Sequence, residues 1–195
     1  MPRRKRSSPS RQAPRLSLLE QFLPAPMQAA KLVEAATLTN DVRRRSDLAR
    51  QAVQLDPDCV TGYMVLSSCA HTVEEALPHL EQGLAAATRV LGPNGTRNVT
   101  TDFANSPEGL PYLLVLRELA MCLLNVDRID EAITHLQEVI RLDPDDEDGM
   151  RFRLLVLLLQ SERLDEAEQL LASYPDESSA DWSYSQALIA FRRAG

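Results

Sequence analysis

The chain has 195 residues, 44% of them apolar and only 5% aromatic, with 7 Gly and a net charge of −7. That length suits one domain of ordinary size, and few aromatics and glycines favour helices over sheets. No run of 18 apolar residues occurs, so the sequence offers no membrane span and no membrane partner.

The first fifteen residues, "MPRRKRSSPSRQAPR", hold Arg3, Arg4, Lys5, Arg6, Arg11 and Arg15 and no acid. They carry +6, so the chain's −7 becomes −13 for the remainder. An acidic body excludes a nucleic-acid surface on the folded part, which leaves residues 1–15 as the one place for phosphate contact. That segment reads as a disordered solubilising tail, with a phosphate-binding or nuclear-import role as the alternative. The following "LSLLEQFL" is not a signal peptide, because Glu20 and Gln21 break the apolar run and no clean cleavage site follows.

Residues 16–195 read as one helical domain, starting with irregular helices over 16–91. Leu48–Leu55, closed by Pro57, reads as the second helix of a pair. Val60–Ala70 then pairs with Val73–Leu91 across a short turn at His71-Thr72. Gly92–Leu110, "GPNGTRNVTTDFANSPEGL", is an insertion too long for a tight connection. It is expected to pack through Phe103, the alternative being a mobile arm. The sequons at Asn94 and Asn98 within it are taken as chance.

The periodicity is clearest in the centre. Leu113, Leu116, Leu119, Ala120 and Leu123 mark one face of a helix over Leu110–Asn125. Ile129, Ala132, Ile133, Leu136, Val139 and Ile140 mark the next, which Asp143-Pro144 stops. Met150–Leu159 and Leu164–Tyr174 repeat the arrangement, and Pro175 closes it. "R-[IL]-D-E-A" recurs 35 residues apart, ending at Ala132 and at Ala167, and "LDPD" twice follows a second helix. A helix pair recurring at that distance is the unit of a solenoid, here 111–145 and 146–175. Acids after each Pro are expected to cap the next helix. A last helix over 178–194, with Trp182, Tyr184, Leu188, Ile189 and Phe191, reads as lacking a partner. It either caps the array or belongs to a longer protein.

On these residues the chain resembles the tetratricopeptide-repeat (TPR) family. Ala120, Ala132 and Pro144 stand at that pattern's small and closing positions, with Leu116, Leu119 and Leu136 at its large apolar ones. The later unit keeps Ala167 and Leu171 but closes early, at Pro175. From about Ser46 to Gly195 the wording is also similar to bacterial members of the suppressor-of-tumorigenicity TPR-like family. The resemblance implies an all-α, right-handed solenoid of antiparallel helix pairs. It supplies no reaction and no cofactor.

The residues themselves offer little chemistry. His71, His79 and His135 have no Cys or His at ligand spacing and stand in no nucleophile motif. Asp143–Gly149 departs from the calcium-loop pattern, which needs Gly sixth and Glu twelfth. Cys59, Cys69 and Cys122 fit no redox or metal motif and suit a reducing compartment. The expectation is therefore a non-catalytic, cytoplasmic scaffold without cofactor, binding another protein or peptide. First helices of TPR arrays line the concave groove. By matching positions the candidates are Arg117, Met121, Leu124 and Asn125, then Phe152, Val156 and Leu159. Leu124 and Leu159 stand equally well as packing between repeats. A nucleic-acid-associated assembly factor working through the tail, and a regulatory segment of a larger protein, are the competing readings.

Overall fold

The computed structural model describes residues 20–97, 103–146 and 148–194; the basic tail and Asn98 lie outside them. Among these residues there is no strand. The helices are α1 (Ala25–Thr37), α2 (Val42–Leu55), α3 (Val60–Ser68), α4 (Val73–Leu91), α5 (Gly109–Asn125), α6 (Ile129–Leu142), α7 (Met150–Gln160), α8 (Leu164–Ser173) and α9 (Ala180–Ala194). Each packs on the next, and α1 on α3 and α3 on α5 touch as well, so antiparallel pairs stack into a solenoid.

Local chemistry sets the boundaries. Asp41 caps α2, accepting from the backbone N–H of Arg43 and Arg44 at 3.1 and 3.3 Å. Thr72 caps α4 through the N–H of Glu75, whose carboxylate reaches back to the N–H of His71 at 3.0 Å. Asp146 caps α7, accepting from Met150 and Arg151 at 2.7 and 2.9 Å. An acid after the second "LDPD" thus starts the next helix. The first "LDPD" behaves differently. Cys59 stands where Asp146 does and caps nothing, while Asp58 pairs with Arg89 of α4 at 2.7 Å.

Small side chains sit where helices cross. Ala120, Ala132 and Ala167 are each fully buried, as are Ala49 and Ala52 of α2. The "R-[IL]-D-E-A" words form a clamp outside this core. Arg128 bonds Glu131 of its own helix at 2.6 Å and Glu81 of α4 at 3.3 Å. Arg163 repeats this with Glu166 at 2.6 Å and Asp130 of α6 at 3.5 Å. The repeated letters therefore encode a strut between successive second helices.

Three expectations change. Helix α2 begins at Val42 rather than Leu48, because "VRRRSD" forms helix without an apolar face to announce it. Helix α5 begins at Gly109, inside the stretch read as insertion. A Cβ at Gly109 would lie 2.0 Å from the Phe103 carbonyl oxygen, so glycine permits this junction. Phe103 is buried and meets Tyr112 edge-on at 6.3 Å, so its end of the insertion is packed; residues 98–102 lie outside the described ones. Finally, α9 does not lack a partner. Trp182 and Ile189 are buried against the α7–α8 pair, and Arg193 pairs with Glu168 of α8 at 2.7 Å.

Candidate functional site

Helix α7, "MRFRLLVLLLQ", is apolar nearly all round, as a helix packed on several sides must be. Leu154, Leu157 and Leu158 are buried, and Val156 is left 51% exposed. Helix α9 lies beside α7 in the same direction. At one end Trp182 meets Phe152 edge-on, with ring centroids 5.5 Å apart. At the other, Arg192 Nη1 donates to the carbonyl of Leu159 at 2.8 Å.

Between these two ties the helices leave a cleft of about 290 Å³. Phe152, Val156 and Leu159 of α7 line it, with Tyr184 and Leu188 of α9. Asp181, Gln160 and Arg192 add polar groups, so the site is an apolar trough with one acid and one cation. Leu159 is only 8% exposed and so contributes to packing as well as to the lining. The Tyr184 and Leu188 side was not read from the sequence. Its signal was the periodicity of α9, in which Tyr184 and Leu188 stand one turn apart.

The α5 candidates do not enter that cleft. The Arg117 guanidinium is taken up by an ion pair with Asp148. Met121 and Leu124 are half-buried, and Leu124 packs against the cores on both sides of it. Asn125 is exposed, and its amide donates to the carbonyl of Met121 at 3.0 Å. Two sectors result: a polar one on α5 whose cation is already neutralised, and an apolar one at α7–α9 that is open.

Two other clefts lie between second helices. One, of about 520 Å³, is lined by Arg43, Asp47 and Arg50 of α2 and by Glu75 and His79 of α4. The other, of about 340 Å³, contains Glu81, Arg128, Glu131 and His135. His79 and His135 occupy the seventh position of α4 and of α6. Burial lowers both imidazoles below their ordinary pKa, helped at His79 by Arg50. At His135 the charges of Glu131 and Glu138 oppose that shift. Among the described residues no three His, Cys, Asp or Glu side chains converge as a metal site. No described helix is long and apolar enough to cross a membrane.

Comparison with known proteins agrees with this geometry. Residues 123–190 match the family model of the tetratricopeptide repeat. The structure resembles that of YrrB, a TPR protein with an unusual peptide-binding site, at 19% identity and a TM-score of 0.58; the match covers 90% of this chain and 80% of that one. It also resembles a Podosopora anserina putative kinesin light chain with nearly identical TPR-like repeats, at 18% identity and a TM-score of 0.54, covering 86% of each chain. A search of curated proteins returns no match.

Proposed function

We propose that the protein is a non-catalytic scaffold for another polypeptide, a reading supported by the match of residues 123–190 to the tetratricopeptide-repeat model and by the likeness of the described chain to solved TPR folds. The ligand is a peptide or short helix, anchored by a large apolar side chain in the α7–α9 cleft. The observation that carries this reading is the cleft itself. It is apolar and open, it has a carboxylate and a guanidinium at its edge, and it is lined by Phe152, Val156 and Leu159. The peptide-binding character of YrrB supports the same reading. Arg117, Met121, Leu124 and Asn125 form an outlying sector along which an extended ligand would run. The cytoplasm suits a chain with three free thiols.

Selection of peptides from a displayed library on the full chain tests this. Val156 is exposed, so Val156→Glu should leave the fold intact while lowering recovery of the selected peptides at least about ten-fold. Recovery of the same peptides at undiminished affinity by the variant would remove the cleft from consideration.

A further inference from the structure

The helices that stand second in each pair open on the same charges, with one exception. Their second and third residues are Glu74 and Glu75 in α4, Asp130 and Glu131 in α6, and Asp165 and Glu166 in α8. In α2 the same places hold Arg43 and Arg44. The residue just before the helix is exchanged as well. Arg128 and Arg163 precede α6 and α8, whereas Thr72 precedes α4. Between α8 and α6 these places pair, Arg163 with Asp130 at 3.5 Å. Between α4 and α2 they are Thr72 and Arg43, which cannot form such a bridge.

The exchange leaves donors without acceptors around the cleft of about 520 Å³ between α2 and α4. The side chains of Arg43, Ser46, His71 and His79 line it, and none has a hydrogen-bond or ion-pair partner among the described residues. His79 Nδ1 is buried with nothing to bond. Placing the proton of the neutral ring on Nε2 spares a buried, unmet N–H, so the nitrogen left toward the cleft is a donor. The acids on the same wall are already engaged. Asp47 holds Arg50 at 3.0 Å, and Glu75 accepts from the backbone N–H of His71 at 3.0 Å.

We propose that this cleft binds a phosphate monoester, with the Arg43 guanidinium as counter-charge and the Ser46 hydroxyl and two imidazoles as donors. The guanidinium fork matches phosphate oxygens. Donors arriving from α2, from the α3–α4 turn and from α4 suit a tetrahedral group better than a planar carboxylate. Arg43 also stands in the first turn of its helix, where the dipole disfavours a cation, so its place is not one that stability selects. The next cleft along, between α4 and α6, lacks this capacity, because its Arg128 is taken by Glu131 and Glu81. A phosphorylated side chain and a free phosphate compound present the same group to the site. Neither depends on the α7–α9 cleft holding a peptide.

The chain has three histidines, so their imidazole resonances read the site directly. Inorganic phosphate and N-acetyl-phosphoserine amide, titrated into the full chain at constant pH and ionic strength, should shift His71 and His79 saturably and leave His135 in place. Acetate should bind at least about ten-fold more weakly than phosphate. Arg43→Glu should weaken phosphate binding at least about ten-fold and, by placing an acid in the first turn of α2, raise the melting temperature. That joint gain and loss separates a binding role from a structural one. Tighter binding of the phosphoserine amide would assign the group to a phosphorylated side chain and tighter binding of inorganic phosphate to a free one; either supports the site. Unmoved resonances, equal shifts at all three histidines, acetate bound as tightly as phosphate, or a variant that still binds or that melts lower would each overturn the proposal.

Discussion

Arg151 donates from Nη2 to Glu177 at 2.8 Å, joining the first turn of α7 to the turn that follows α8. The same guanidinium bonds Asp146 at 2.9 Å and lies over the rings of Phe152 and Tyr174, at 4.6 and 5.1 Å. Asp146 is 3% exposed, so its charge is stabilised by this one arginine and by the two N–H groups it caps. Arg151→Met keeps the packing of the stem and removes the counter-charge. The expected loss is about 2–3 kcal/mol, measured as a shift in the urea midpoint. A loss under about 0.5 kcal/mol would show that the helix-capping bonds alone suffice for Asp146.

The turns joining α5 to α6 and α7 to α8 share a backbone device. Asp127 and Glu162 both lie in the left-handed region, with φ of 59° and 58°. Beside them the N–H groups of Arg128 and Arg163 donate to Leu123 and Leu158, at 3.0 and 2.8 Å, closing each helix. A glutamate is poorly suited to that conformation, whereas glycine adopts it freely. Glu162→Gly should therefore raise stability by about 0.5–1 kcal/mol, the gain being limited by the greater freedom of glycine when unfolded. A lower melting temperature would count against this account of the turn.

Ala132 has no exposed surface and sits where α6 crosses its neighbours. Leucine there has to displace packed side chains. Ala132→Leu should cost about 1–3 kcal/mol. An unchanged thermal midpoint would mean that the crossing tolerates a far larger residue than its burial implies.

His79 and His135 give stability a pH dependence of known sign. Each is held below its ordinary pKa of 6.5 in the fold. On acidification the unfolded chain therefore takes up protons first, and stability falls as pH drops below about 6.5 toward the folded values. The charges facing them are Arg50, and Glu131, Arg128 and Glu138. Glu131 and Glu166, lowered mainly by hydrogen bonds from Arg128 and Arg163, add a second loss below about pH 4.5 as they are protonated. Replacing both histidines with glutamine should flatten the stability profile between about pH 7 and 5 and leave the more acidic limb in place. A double variant with the parent's slope across that interval would rule the histidines out as its source.

The later helices were legible because periodicity and punctuation coincide there. Helix α6 runs from the residue after Arg128 to the one before Asp143-Pro144, and α9 fills the segment its apolar residues mark. The first turn and a half of α2 was hidden because four of its first six residues are charged, so its helical state depends on the Asp41 cap rather than on burial. The site was legible in part. Phe152 and Val156 follow from repeat register, but a cleft needs two walls, and the second belongs to a helix whose packing partner no repeat pattern specified. Arg117 shows the other limit. Its position matches that of a groove residue only through the family resemblance, while its pairing with Asp148 depends on a loop that periodicity does not describe.

The absent cap at Cys59 makes the molecule its own probe of breathing. Cys59 lies half-covered at the α2–α3 junction, Cys69 at the end of α3, and Cys122 deep in α5 with its Sγ 3.6 Å from the carbonyl of Val73. A thiol-reactive dye added to the native chain would thus time the opening of the uncapped junction against those that free the two buried thiols, the junction first.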